Sequence, residues 1–203
     1  MEEIFTHIYE HDCWGDSETA SGFGSNTFNT VAIRRELPIV LRNLGIRSML
    51  DVPCGDHHWI QELKLDIEEY IGADIVGELV RRNAQTFANA QKRFYQLDIT
   101  RDPIPRVDLI FCRDCLVHFS FADISLALHN MRRSGSLYLM TTTFTSVGDN
   151  VDIQTGDWRQ INLQLPPFDF PEPLLLICEH GIGDGGEDYN KCMGVWKLSD
   201  LPG

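Results

Sequence analysis

The first 33 residues contain no lysine or arginine, yet they carry Glu2, Glu3, Glu10, Asp12, Asp16 and Glu18. Across the 203-residue chain 17 basic residues face 30 acidic ones, a formal net charge of −13. A nucleic-acid footprint needs a basic face, and so does attraction to an anionic membrane, so neither is expected as a partner. No apolar run reaches the ~20 residues that span a bilayer, and the acidic N-terminus lacks the basic-then-apolar order of a secretory signal. Cysteine is also scarce. Cys13, Cys54, Cys112, Cys115, Cys178 and Cys192 are too few for a disulfide scaffold in a chain of this length. Cys112 and Cys115 form one C-x-x-C, but the second ligand pair of a structural zinc site is missing, so they read as reduced thiols of a core strand. No other ligand spacing demands a cation. The expectation is a cytoplasmic protein with no metal ligands assigned, the need for a divalent ion staying open.

What the chain does have is core material. With 43% hydrophobic and 10% aromatic residues it is long enough for one domain. Residues 1–30 read as a loop-rich leader. Ile33, Leu37, Val40, Leu41 and Leu44 recur at helical spacing over residues 30–44, with Gly45 placed to end the helix. Short apolar runs then alternate with helical segments. Strands are expected at 48–52, 69–75, 92–98, 107–112 and 135–144, and helices at 59–65, 76–90 and 121–133. This alternation implies βαβ units. The late segment is polar and then proline-bearing (Pro166, Pro167, Pro171, Pro173), an excursion over the sheet. Two last strands, 174–178 and 193–198, are joined by a glycine-rich loop at 181–186 and are expected to pair antiparallel. The fold class is therefore α/β and Rossmann-like. It has a mainly parallel seven-stranded sheet, helices on both faces and an antiparallel C-terminal edge.

In an open parallel sheet the ligand lies beyond the carboxyl ends of the strands. The first expected strand runs into Asp51-Val-Pro-Cys-Gly-Asp-His-His-Trp59, the second ends at Asp74, the third at Asp98 and the fourth at Arg113-Asp114. Four carboxylates in register at strand ends point to a nucleoside site. Asp74 follows Gly55 by 19 residues, near the ~20-residue offset at which an acidic side chain binds a ribose. The dinucleotide fingerprint G-x-G-x-x-G is absent, because Pro53 and His57 stand where its glycines would be. A cationic ligand without phosphates suits acidic strand ends better than NAD does, and S-adenosyl-L-methionine is such a ligand.

These segments, Asp51-Val-Pro-Cys-Gly-Asp, Gly72-Ala-Asp74, Gln96-Leu-Asp98-Ile and Asp108-Leu-Ile-Phe-Cys-Arg-Asp114, resemble the successive motifs of class I S-adenosylmethionine-dependent methyltransferases over residues 46–145. Trp14-Gly-x-x-Glu18-x-x-Ser21-Gly-x-Gly24-Ser25, Trp158-Arg-x-x-Asn162-Leu and Pro167-Phe-x-x-Pro171 are similar to small glycan-modifying methyltransferases. Pro53 and Trp59 are further cofactor-binding candidates. The resemblance implies that Asp51 and Gly55 line the methionine end of the cofactor and that Arg113 and Asp114 sit beside the methionine moiety and the transferred methyl. It implies further that Asp74 binds the ribose and that Asp98 with the Ile99 backbone reads the adenine. Residues 1–33 are expected to fold over the cofactor as a lid, bringing Trp14, Ser21, Gly22 and Ser25 to it with some leader carboxylates near the sulfonium. Residues 34–145 would be the cofactor-binding core and 146–203 the acceptor side.

Methyl transfer needs in-line alignment, and an alcohol acceptor also needs a general base. Asp114 and His118, spaced i, i+4 on a helix if one follows the fourth strand, are the catalytic candidates. His58, Thr143, Arg159 and Asn162 are candidates for acceptor binding, with Trp158 and Phe168 available for stacking on a sugar or else for the core. The reading is O-methylation of a sugar hydroxyl on a glycan or small metabolite. The alternatives are N- or O-methylation of another small metabolite, and a non-catalytic cofactor-binding module.

Overall fold

A computed structural model describes residues 1–179 and 190–202. The expected loop at 181–186 lies outside the described residues. Among these, seven strands and four α-helices form: α1 (Glu2–Glu10), α2 (Val31–Asn43), β1 (Ser48–Asp51), β2 (Glu69–Asp74), α3 (Gly77–Phe87), β3 (Lys92–Gln96), β4 (Leu109–Cys112), α4 (Phe121–Arg133), β5 (Tyr138–Phe144), β6 (Leu175–Cys178) and β7 (Lys191–Lys197). The sheet order is β3-β2-β1-β4-β5-β7-β6. The first five strands run parallel and β7 runs antiparallel to both its neighbours. The strand order reverses between β1 and β4, so the ligand crevice is expected beyond their carboxyl ends.

Two cores flank the sheet. On one face α2 buries Ile33, Leu37, Val40 and Leu41 against Met49, Leu109 and Met140. Pro38 lies inside α2 and removes one backbone hydrogen bond, a cost of about 3 kcal/mol. Four buried aliphatic side chains, at about 1.5–3 kcal/mol each, outweigh it. On the other face α4 buries Ile124, Ala127 and Met131. Its start is capped by Ser120, whose hydroxyl accepts from the Asp123 N–H at 3.2 Å, and Arg132 and Arg133 complement the dipole at its end. The proline-bearing excursion lies on this second core, with Ile161, Leu163, Phe168 and Phe170 buried in it. Phe168 packs edge-on against Phe121, so it belongs to the core.

The structure corrects three expectations. The leader is not all loop, because Glu2–Glu10 is a helix. Ile4, Phe5, Ile8 and Tyr9 carry the helical period there, and Glu2 and Glu3 suit its positive end. The segment after Trp59 makes only a 3₁₀ turn, Ile60–Glu62. The segment after β4 also makes a 3₁₀ turn, Leu116–His118, preceded by Asp114 with φ 51°, so Asp114 and His118 do not share a helical face.

Cys112 and Cys115 are buried and free. Cys178 and Cys192, by contrast, are opposite each other in the β6–β7 register and form a disulfide. Spacing alone gave no sign of that pairing, because it depends on hairpin register.

Candidate active site

A cavity of about 460 Å³ opens at the carboxyl ends of β1, β2 and β4, where the strand order reverses. Its walls differ in character. Phe5, Val76, Leu79, Leu97, Ile99 and Phe119 make an apolar end, while Ser25, Asp51, Arg113, Asp114, Glu179 and Lys191 make a polar one. Its size suits one small-molecule ligand.

The turn after β1 anchors the site. Asp51 ends β1, and the chain then turns through a cis Val52–Pro53 bond and Gly55 at φ +52°. The Gly55 N–H donates to Asp74 Oδ2 at 3.0 Å, and the Val76 N–H donates to Oδ1 at 2.9 Å. Asp74 is thereby fixed at the end of β2. Burial pushes its carboxyl up to about 6 against these hydrogen bonds. Asp51 accepts a hydrogen bond from the Tyr70 hydroxyl. Burial, with Asp74 nearby, pushes Asp51 up to about 7. Two desolvated carboxylates at one cavity wall favour a ligand that brings hydroxyl donors or positive charge.

The leader covers this wall. Asp56, in the same turn, accepts from Thr19 Oγ1 and the Ala20 N–H, both at 2.9 Å, and from Ser21 Oγ at 3.1 Å. A Cβ on Gly55 would stand 2.0 Å from Ser21 Oγ, so only glycine lets the leader lie this close. Arg113 donates to the Gly24 carbonyl at 2.8 Å, and a Cβ on Gly24 would stand 2.8 Å from Asp114 Oδ2. Trp14 packs against His118 with the two rings tilted and their centroids 5.2 Å apart.

A buried ion cluster closes the polar end. Arg113 Nε donates to Glu179 Oε1 at 3.0 Å, and its Nη1 lies 3.1 Å from Asp114 Oδ2. Lys191 Nζ pairs with Asp114 and lies 3.3 Å from Glu179 Oε2. Burial opposes ionisation of Asp114, but Lys191 and Arg113 prevail and hold its carboxyl below the ordinary range. His118 differs. Burial lowers its pKa, against the Asp157 carbonyl and Asp114, so its imidazole is neutral at pH 7. Its Nδ1 lies 3.0 Å from the Asp157 carbonyl, which can only accept. The proton is therefore on Nδ1, and Nε2 carries the lone pair.

Of the residues named from sequence, Trp14, Ser21, Gly22, Ser25, Asp51, Pro53, Gly55, His58, Trp59, Asp74, Ile99, Arg113, Asp114 and His118 line the cavity together. Four do not. Asp98 accepts from the Thr100 N–H and hydroxyl and pairs with Arg101, capping its own turn. Thr143 accepts from the Leu163 N–H, Arg159 donates to the Leu116 and Phe119 carbonyls, and Asn162 donates to the Val147 carbonyl. They join the excursion to the sheet. The leader carboxylates are also absent from the wall: Asp16 and Glu18 cap the leader's own turns. Sequence reasoning missed Phe5, Tyr9, Asp56, Glu179 and Lys191. Glu179 sits at the carboxyl end of β6, the criterion that found Asp51 and Asp74.

Residues 49–135 match a family model described as a methyltransferase domain. The core has the fold of a methyltransferase. Solved structures agree over most of the chain. The N-methyltransferase NodS from Bradyrhizobium japonicum WM9, in complex with S-adenosyl-L-homocysteine, superposes with a TM-score of 0.63 at 13% identity, covering 95% of this chain and 97% of that one. The 1,6-didemethyltoxoflavin-N1-methyltransferase of Burkholderia thailandensis gives 0.65 at 16% identity, covering 97% and 86%. The methyltransferase domain of bacterial CtHen1-C gives 0.61 at 12%, covering 84% and 98%. At these identities the likeness is one of fold. No curated protein sequence matches the chain. In this methyltransferase fold the leader and the ion cluster both line the cavity at the carboxyl ends of the strands.

Proposed function

We propose that the chain is an S-adenosyl-L-methionine-dependent O-methyltransferase whose acceptor is a sugar hydroxyl on a glycan or small metabolite. The observation that carries the reading is the meeting, at one cavity, of two desolvated carboxylates with a neutral, tautomerically fixed histidine. The donor set fits the cofactor. Asp74 would take the ribose hydroxyls, and Leu97 and Ile99 offer apolar walls to an adenine. Asp51 faces the polar end, where a cation is favoured. When bound, the cofactor supplies an electrophilic methyl on a sulfonium. The protein's part is alignment and proton removal. His118 Nε2 accepts the proton of the acceptor hydroxyl while Asp157 holds the ring. Asp114, committed to Lys191 and Arg113, is a weak base and instead orients the charged end of the site. The sugar assignment draws on the motifs around Trp14 and Trp158, and an acidic enzyme tolerates a neutral polyol.

The test is mass spectrometry of products from a panel of glycan, sugar, amine and phenol acceptors. Methylation of a sugar hydroxyl that is lost in His118→Ala supports the proposal. Methylation of amines alone, or turnover unchanged in His118→Ala, overturns the oxygen assignment.

A further inference from the structure

Behind Asp51 lies a second polar arrangement that the proposed chemistry does not use. β1 and β2 are parallel, with Met49 opposite Tyr70 and Asp51 opposite Gly72. Tyr70 therefore starts one pair of residues before Asp51 on the same face, and its phenol reaches along the sheet to the Asp51 carboxylate. Gly72 leaves the space beside it to Phe94, whose ring would be 2.5 Å from a Cβ there. His57 completes the row. Its Nδ1 is 3.2 Å from the Tyr70 hydroxyl. Its ring is enclosed by Tyr70, Phe87 and Phe94, with centroids 4.9–5.2 Å away. It is 1% exposed, and among the described residues its Nε2 has no hydrogen-bond partner.

The hydrogen-bond directions follow. An ionised carboxylate only accepts, so when Asp51 is ionised the Tyr70 hydroxyl donates to it and has lone pairs left for a donor. His57 Nδ1–H is that donor, which leaves Nε2 as the bare nitrogen in the apolar pocket. Burial lowers the His57 pKa to about 3, with Lys92 adding to it, so the ring is neutral. His57 holds this place at φ 58°, a backbone conformation that a non-glycine residue adopts at a cost.

We propose that His57 and Tyr70 are positioning residues, a hydrogen-bonded row that aims the Asp51 carboxylate at the cationic end of the cofactor. The inference rests on the cofactor reading above. The charged and titratable groups facing Asp51 are Tyr70 and Asp74 from β2, Cys54 from the turn after β1, and Arg113 from the end of β4, with His57 reaching it through Tyr70. Tyr70 and Arg113 favour its ionised form, whereas burial and Asp74 oppose it. With its carboxyl near 7, Asp51 in the free protein shares its time between protonated and ionised forms at neutral pH. A cation arriving beside it selects the ionised form and expels the proton. Affinity therefore rises with pH through this range. Without the Tyr70 hydroxyl, Asp51 keeps its proton to higher pH.

The experiment is calorimetric titration of the full chain with S-adenosylmethionine between pH 6 and 9, in two buffers of different ionisation enthalpy. The wild type is expected to release a fraction of a proton on binding at pH 7 and none at pH 9. Tyr70→Phe is expected to bind about tenfold more weakly at pH 7, since a hydrogen bond to a buried charge is lost, and to recover as the pH rises to 9. A merely structural role for Tyr70 would weaken binding equally at every pH, and that result overturns the proposal. If Tyr70→Phe does not fold, the wild type alone decides: binding without proton release at pH 7 overturns the proposal and spares the cofactor reading. Absence of binding to the wild type overturns both.

Discussion

Lys191→Met removes one of two cations that, among the described residues, face the Asp114 and Glu179 carboxylates. Lys191 is paired with Asp114 and lies 3.3 Å from Glu179, and their side chains are 14%, 23% and 1% exposed respectively. Among the described residues Arg113 would then be the one cation facing both Asp114 and Glu179, leaving one negative charge uncompensated. Breaking a buried ion pair on one side costs about 3–5 kcal/mol. The partial exposure of Asp114 puts this case at the low end, about 3 kcal/mol. For a domain of this size that is a fall in Tm of about 6–12 °C. Adding Glu179→Gln restores charge balance around Arg113 and Asp114. The double variant is thus expected to lose less than the sum of the two singles, by about 1–3 kcal/mol. Urea unfolding of the four proteins measures this coupling. A single variant that loses under about 1 kcal/mol, or a double variant that loses the full sum, would refute the view that the four groups share one buried charge balance.

Other expected outcomes can be measured on the same protein. Asp74→Asn keeps the side-chain shape but replaces one of the two oxygens that accept from Gly55 and Val76, so S-adenosylhomocysteine affinity should fall about tenfold or more by calorimetry. Asp56→Ala removes the anchor of Thr19, Ala20 and Ser21, at about 2–4 kcal/mol of leader docking, and residues 1–25 should become sensitive to limited proteolysis. Because the His118 pKa is lowered, the base is already neutral at pH 7. At saturating S-adenosylmethionine, where the pH dependence of binding drops out, the rate should be flat from pH 7 to 8 and fall toward pH 5 as His118 gains its proton; a saturated rate that rises steadily through pH 8 would contradict the assignment. His118→Ala should lose about 100-fold or more in turnover with cofactor affinity unchanged.

Much of the fold was legible because it is written in local periodicity. Val31–Asn43 and Phe121–Arg133 carry clear helical spacing, and the runs at Ser48–Asp51 and Leu109–Cys112 are the continuous apolar strands of a parallel sheet. The strand-end rule located Asp51, Asp74 and Asp114, since topology alone brings those ends together. What escaped depends on contacts distant in sequence. The Glu2–Glu10 helix was hidden by an acidic composition that reads as solvated loop. Asp98, Thr143, Arg159 and Asn162 have the right chemistry for a site but spend it on neighbouring backbone. Glu179 and Lys191 reach the cavity only because β7 inserts between β5 and β6, an order that no spacing along the chain discloses.

The most direct test of the central claim is calorimetric titration of the full chain with S-adenosylhomocysteine, with NADH as the comparison. The expected result is saturable one-to-one binding of S-adenosylhomocysteine, weakened by Asp74→Asn, and no binding of NADH. Absence of S-adenosylhomocysteine binding, or binding of NADH in its place, would contradict it.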